Sequence, residues 1–489
     1  MISMKKLFPS TLLLYTFLLL PALGQSQNTA ELSKDEKAVL AELDQKTAAY
    51  NDIAQQIWSW AELGYLEEKS AGLLQKTLEQ EGFRIQKGVA DIPTAFVASY
   101  GTGQPVIALM GEFDALPGVT QDRVPFKKER EEVNAGHACG HHLFGTGSAA
   151  AAIAVKNWLK AHNKQGTIRF YGTPAEEGGA GKVYMVRAGL FDDVDVVLHW
   201  HPGNSNSAAA TSSLSNKSAK FRFHGIASHA AVSPQNGRSA LDGVEAMNMM
   251  VNMMREHVPA ESRIHYVITR GGEAPNVVPA EAEVFYYVRH PEMEQVKAIF
   301  ERVVKAAEGA ALGTGTTMDY EVIHGVYNLL PNEALSEVVN AKLNLVGGVV
   351  YDEKERAFGE QILKSYGADH LDVDMAASVA PYYVNNRGAG GSTDVGDVSW
   401  AVPTAGLRAA TWVPGTSPHS WQAVAAGGTS IGKKGMMVAA KTLSLTAMEI
   451  FNNPNIAAKA LKELNIKRGE NFQYEALLGD RKPPLDYRK

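Results

Sequence analysis

Strand-length apolar runs alternate with helix-length segments along this chain, and that alternation restricts the main body to a layered α/β architecture. The runs Val106-Ile107-Ala108-Leu109-Met110, Ile168-Arg169-Phe170-Tyr171 and Val194-Asp195-Val196-Val197-Leu198 are each of strand length. Between the first two lies an Ala- and Gly-rich stretch, Gly145 to Leu159, of helix length. Strands separated by helices pair largely in parallel, because a parallel connection needs a long crossover. Upstream, Ser33 followed by Glu36 has the spacing of a capping box. Apolar residues at Val39, Leu40, Leu43, Ile53, Ile57, Trp58 and Trp60 then predict one long amphipathic helix or two adjoining ones.

The texture changes in the middle of the chain. Residues 212–218 are polar and Ser-rich, a linker pattern. Beyond them come a strand (Ala219 to Phe223), a helix (Ser239 to Glu256) and two strands (Arg263 to Thr269, Ala282 to Arg289). A helix from Glu292 to about Ala311 and a strand from Thr317 to Ile323 complete a β-α-β-β-α-β unit, the ferredoxin-like order. From Asn332 the larger layer resumes, ending in a helix from about Thr429 to Phe451. The 489 residues exceed what one core usually supports. The expected organisation is therefore an α/β domain over 33–213 and 329–466, interrupted by an α+β domain over 214–328. Residues 467–489 are charged and contain Pro483-Pro484, so they are expected to be extended or loosely docked.

The first residues read as an address. Lys5 and Lys6 precede an apolar stretch from Leu12 to Leu20, then Ala22-Leu23-Gly24 and polar Gln25. That is the pattern of a secretory signal over 1–24, with an apolar segment too short to span a bilayer. The expected location is periplasmic or secreted, without stable membrane insertion once the signal is removed. A net charge of −6 argues against nucleic acid as the main partner. The single cysteine, Cys139, cannot form an internal disulfide.

The neighbours of Cys139 give it another use. His137-Ala138-Cys139-Gly140-His141-His142 sits just before the Ala-rich helix, and thiolate with imidazole suits borderline metals. Pro174-Ala175-Glu176-Glu177-Gly178-Gly179 follows a strand. Adjacent carboxylates there repel unless a cation or proton relieves them, and a parallel sheet builds its sites at such strand ends. Leu198-His199-Trp200-His201-Pro202 ends another strand, and Gly415-Thr416-Ser417-Pro418-His419-Ser420 places a further histidine in a loop. Any one of these is ordinary. Their conjunction at strand and helix boundaries suggests a metal site.

These motifs, with Gly111-Glu112-Phe113-Asp114-Ala115-Leu116-Pro117 and the stretch from Gly391 to Trp400, resemble the M20 metallopeptidase family, in the branch of aminoacylases and auxin-conjugate hydrolases. The resemblance runs from about Lys34 to about Phe451. It implies a zinc-peptidase-like catalytic domain with an inserted lid and dimerisation domain, a homodimer, and two divalent ions, zinc or manganese. The implied ligands are Cys139, His141, Glu177, His201 and His419, the general base is Glu176, and Asp114 orients a ligand. His201 is preferred to His199 because its spacing from Asp195 matches the family; His142 stands where most of the branch has Asp. In the inserted domain, His229 is implied as the histidine that polarises the scissile carbonyl from a neighbouring subunit, with Asn276 and Arg289 facing substrate. The implied reaction is hydrolysis of an amide in an N-acyl amino acid, with an aromatic acyl group on glutamate (p-aminobenzoyl-glutamate) as the expected substrate. A dipeptide or another N-acyl amino acid is the alternative. An exported solute-binding protein with two lobes is the reading that needs no catalysis.

Overall fold

The computed structural model describes residues 31–388 and 390–488. The signal expected over 1–24 lies outside them. Helix α1 (Lys34–Trp60) opens with the reciprocal Ser33–Glu36 capping box and runs unbroken for 27 residues. It is followed by α2 (Glu68–Gln80), β1 (Arg84–Lys87), β2 (Phe96–Thr102), β3 (Val106–Gly111), α3 (His141–Ala161), β4 (Gly166–Gly172), α4 (Gly181–Arg187) and β5 (Val196–Gly203). The middle region holds β6 (Ser215–His224), α5 (Ala240–Met254), β7 (Arg263–Arg270), β8 (Glu281–His290), α6 (Met293–Thr314) and β9 (Thr317–Val326). The chain then forms α7 (Glu333–Val346), α8 (Glu353–Ser365), α9 (Val395–Ala401), β10 (Thr404–Ala410), α10 (Trp421–Gly427), α11 (Ser430–Asn452) and α12 (Asn455–Arg468).

The larger sheet has the order β1-β2-β4-β3-β5-β10. Neighbours among β4, β3, β5 and β10 pair in parallel, and β2 pairs antiparallel with both β1 and β4, so the sheet is mixed. Both faces are covered, as the near-continuous apolar strands require. In β3, Ile107 and Leu109 enter the core beneath α1, α3 and α11, while Val106, Ala108 and Met110 enter the core shared with α4 and α9. In β5, Val196, Leu198 and Trp200 face the first core and Val197 the second. The two-residue period thereby carries His199 and His201 to the second face.

The smaller sheet is fully antiparallel, in the order β7-β8-β6-β9, with α5 and α6 packed on it through Val244, Met247, Val296 and Phe300. Ser215 to Ser218, read above as linker, belong to β6. Ser215, Asn216 and Ser218 are buried, Ser215 donating its hydroxyl to the Val326 carbonyl and Asn216 Oδ1 facing His324 Nδ1, both on β9. The expectation of a loosely docked tail is also overturned. Ala476, Leu477 and Leu478 are buried, and Tyr474, Leu485 and Tyr487 pack against the second core. The apolar triplet, outweighed in the sequence by its charged neighbours, is what docks the segment. Among the described residues no helix is long and apolar enough to cross a membrane.

Candidate active site

Four ends of secondary structure meet below the carboxyl edge of the larger sheet. Glu112 and Asp114 follow β3, Cys139 precedes α3, Glu176 and Glu177 follow β4, and His201 lies near the end of β5. The contact between the Cys139 loop and β5 depends on Gly140. Its φ of 78° is left-handed, and a Cβ there would lie 2.6 Å from Pro202 Cβ. Only glycine lets the two chain segments close to this distance.

The ligand atoms of Cys139, His141 and His201 lie within 4.8 Å of one another, and so do those of Cys139, Glu177 and His419. Cys139 is common to both groups. Cys139 Sγ is 3.4 Å from His201 Nε2, and His419 Nε2 is 3.2 Å from Glu177 Oε1. The geometry also presents the imidazoles correctly. His141 Nδ1 is placed to donate to Asp114 Oδ1 at 2.8 Å, and His201 Nδ1 to the Pro202 carbonyl at 2.7 Å. His201 Nε2 is then turned to Cys139, and His141 Nε2 to the Glu112 carboxylate at 3.0 Å, with the second nitrogen of each ring anchored as in an oriented ligating histidine. Asp114 also accepts the Glu177 N–H at 2.9 Å, so one carboxylate braces two members of the set. His419 reaches it from a left-handed turn, φ 58°, held by its N–H donating to the Ala138 carbonyl.

Electrostatics separate the roles of these groups. Burial, followed by the neighbouring carboxylates Glu112, Glu177 and Asp394, pushes the Glu176 carboxyl well up. Burial likewise pushes the Cys139 thiol up, so its thiolate form needs cationic charge beside it. Burial and then Arg408 push His201 well down, which keeps it neutral. Glu177 Oε1 is buried, and its near cationic neighbour is His419. Against the opposing effect of burial, Cys139, Glu112 and Asp114 push His141 up, and the Glu177 carboxylate pushes His419 up. A thiol, three imidazoles and carboxylates at this spacing fit divalent cations, which would take the place of the protons these groups share.

Other histidines are placed elsewhere. His142 Nε2 faces the Gly427 carbonyl at 3.1 Å, on the α10 side, so it is no additional member of either group. His199 belongs to neither group; its ring lies over Gly406 of β10, and it lines the cavity. His229 and Asn276 adjoin each other through the Ala230 N–H to Asn276 carbonyl bond, are exposed, and are absent from the cavity lining. Arg289 does line it, and its Nε is buried without a partner.

Sequence reasoning gave no role to Glu112, Lys182, Asp394 or Arg408. Glu112 Oε2 lies 3.0 Å from His141 Nε2, and its other oxygen lies 2.6 Å from Lys182 Nζ, which also meets Asp394 Oδ1 at 2.7 Å. All three side chains of this Glu112–Lys182–Asp394 chain are buried. Glu112 at the end of β3 was the only one with a positional signal. Arg408, in register with His201 on β10, also lines the cavity and has no acidic partner within ion-pair distance among the described residues. The cavity, of about 520 Å³, runs from Cys139, Glu176 and His419 to Arg289 of β8 and His324 of β9.

A family model for Peptidase family M20/M25/M40 matches residues 108–404, more than half of the chain and nearly all of the cluster. The chain belongs to this family. It is 43% identical over 441 residues to a p-aminobenzoyl-glutamate hydrolase subunit of Escherichia coli K12, covering 85% of this chain and 91% of that protein. It is 28% identical to Xaa-Arg dipeptidase of Mus musculus, covering 92% and 96%. Among solved structures, the aminobenzoyl-glutamate utilization protein of Klebsiella pneumoniae aligns with a TM-score of 0.59 at 19% identity, covering 84% of this chain and 97% of that one. A dinuclear metal-binding M20 peptidase of Bacillus subtilis aligns at 0.56 and 18%, covering 85% and 99%. These two likenesses concern the fold. As an M20 member the chain is a metal-dependent amide hydrolase. A solute-binding role has no need of adjacent carboxylates beside a thiol and three imidazoles.

Proposed function

We propose that this protein hydrolyses the amide bond of an N-acyl amino acid whose released residue is acidic, with p-aminobenzoyl-glutamate as the leading candidate. The observation that carries this reading is one cavity joining the Cys139–His141–Glu177–His201–His419 cluster to two arginines, Arg289 and Arg408. Guanidinium groups suit carboxylates, which they grip through paired hydrogen bonds. The similarity to a p-aminobenzoyl-glutamate hydrolase supports glutamate as the residue released.

Cys139, His141, Glu177, His201 and His419 would hold two divalent ions, zinc or manganese. Such ions polarise the scissile carbonyl and make bound water acidic near neutral pH. Glu176 takes the proton of the attacking water and passes it to the departing nitrogen. Asp114 holds His141 in orientation. Arg289 and Arg408 bind the carboxylates of the substrate.

The middle unit serves as lid and dimerisation surface. Tyr266, Val267 and Ile268 are exposed on the edge strand β7, as are Met249, Met250 and Met253 on α5. An exposed apolar sheet edge is a pairing surface. A second copy placed there would let His229 act at a neighbouring cavity, with Asn276 beside it. The competing partner is a different chain of the same family. The hydrolase of Escherichia coli K12 has another type of subunit, and this chain is 31% identical to that one over 240 residues. The pattern over residues 1–24 supports export.

The deciding experiment measures turnover of p-aminobenzoyl-glutamate, other N-acyl amino acids and dipeptides by the zinc- and manganese-loaded protein, with oligomeric state read by light scattering. Preference for acyl-glutamate over acyl-glutamine supports the proposal. Turnover indifferent to the second carboxylate overturns it.

A further inference from the structure

We propose that residues 474–488 form a strap whose Tyr487 and Arg488 hold the Glu177 carbonyl, and so fix Glu176 and Glu177 in working position. This role rests on the active-site reading above. It extends that reading to a segment outside the matched residues 108–404.

The carboxylate loop is conformationally costly. Ala175 (φ 57°) and Ala180 (φ 57°) are left-handed without being glycine, and Gly178 has φ 95°. Backbone of this kind persists only where its surroundings over-determine it. Glu67 accepts the Ala175 N–H at 2.8 Å, Asp114 accepts the Glu177 N–H at 2.9 Å, and Tyr65 donates its hydroxyl to the Gly179 carbonyl at 2.7 Å. The Glu177 carbonyl, between the two carboxylates' positions and the glycine turn, is held by the strap alone among the described residues. Arg488 Nη2 donates to it at 2.8 Å and Tyr487 Oη at 3.2 Å.

The strap reaches this point already anchored. Leu477 is buried against Gly325 of β9, where a Cβ would meet Leu477 Cβ at 2.7 Å. Arg187 of α4 donates to the carbonyls of Gly479 and Arg481, and Arg481 donates to the Ile323 carbonyl and pairs with Glu321 on β9. Tyr487 then stacks edge-on against Tyr65, ring centroids 5.6 Å apart. Its hydroxyl lies so near Gly64 that a Cβ there would be 2.4 Å away. One segment thus bridges the smaller sheet, α4 and the carboxylate loop.

The test is the double variant Tyr487→Phe/Arg488→Ala, compared with Arg488→Lys in the otherwise unchanged chain. The anchors at Leu477 and Arg481 remain, so the melting temperature of the metal-free protein should stay near that of the parent. Manganese or zinc affinity, measured by titration without substrate, should weaken about 10- to 100-fold, the usual effect of losing a group that orients a ligand. Turnover should fall by a similar factor through kcat rather than KM, and Arg488→Lys should recover most of both. Parental metal affinity and kcat in the double variant overturn the proposal. So does a loss fully accounted for by the unfolded fraction at the assay temperature. Because the metal titration uses no substrate, it reports on the strap even if p-aminobenzoyl-glutamate proves not to be turned over.

Discussion

Replacing Asp397 by Asn should make this protein more stable at neutral pH, with the gain shrinking as the pH falls toward the ordinary carboxylate range. Asp397 lies in α9, fully buried, where it accepts the Tyr327 N–H at 3.0 Å and the Tyr474 hydroxyl at 2.7 Å. Burial, reinforced by Asp394, outweighs those hydrogen bonds and raises its carboxyl to about 7. In the unfolded chain the same group titrates near about 3.9. Between these values the folded protein holds a proton that the unfolded chain has released. Stability is therefore fully present below the lower value and falls as pH rises through the upper one. The slope is about 1.4 kcal/mol per pH unit. Over the roughly two units from about pH 5 to about pH 7 the loss is about 3 kcal/mol. Asn keeps the shape and an acceptor for Tyr327, carries no charge, and removes that slope. The assay is urea or thermal unfolding of parent and variant across about pH 5 to 8, reported as a difference so that every other titrating group cancels. A difference that stays flat, or that favours the parent as pH rises, refutes the reasoning.

Glu176→Gln should retain fold and metal while turnover drops about 10²- to 10⁴-fold, the range of one general acid–base group; near-parental kcat in the metal-loaded variant removes Glu176 from its role. Lys182→Met leaves Glu112 and Asp394 buried without their shared cation, for a cost of about 3–5 kcal/mol. Unfolding by denaturant reads that loss, and a change below about 1 kcal/mol would mean that the carboxylates find other relief. Gly406→Ala puts a Cβ 2.6 Å from His199 Nε2 and 2.7 Å from its backbone carbonyl, so it should destabilise by about 1–3 kcal/mol and move His199 in the cavity. Arg408→Gln should lower kcat/KM for acyl-glutamate about 10-fold or more relative to acyl-glutamine, as expected for a charge-assisted hydrogen bond. An unchanged ratio assigns Arg408 to some other task.

The sequence made local periodicity and local chemistry readable. The Ser33–Glu36 cap, the buried strand Val106 to Met110, and the strand-helix order of residues 215–326 are properties of neighbours in the chain, where a period of two or 3.6 residues is enough. Cys139, Glu176, Glu177, His201 and His419 were legible because ligand-type side chains stood at element boundaries and matched a family pattern. The misreadings have a common cause. Ser215 to Ser218 looked like linker and residues 467–489 like a loose tail, because polarity alone does not say what a segment packs against.

By itself, then, the chain determined its element types, its candidate donors, and the interruption of one α/β layer by a second unit. Which donors share a cluster, and which histidines turn away, depended on pairings between residues far apart in sequence. His142 turning to Gly427, Arg408 standing beside His201, Lys182 neutralising Glu112 and Asp394, and Arg488 reaching Glu177 are all set by strand order and helix packing. Periodicity specifies which face a residue occupies; only the closed tertiary structure specifies what lies opposite that face.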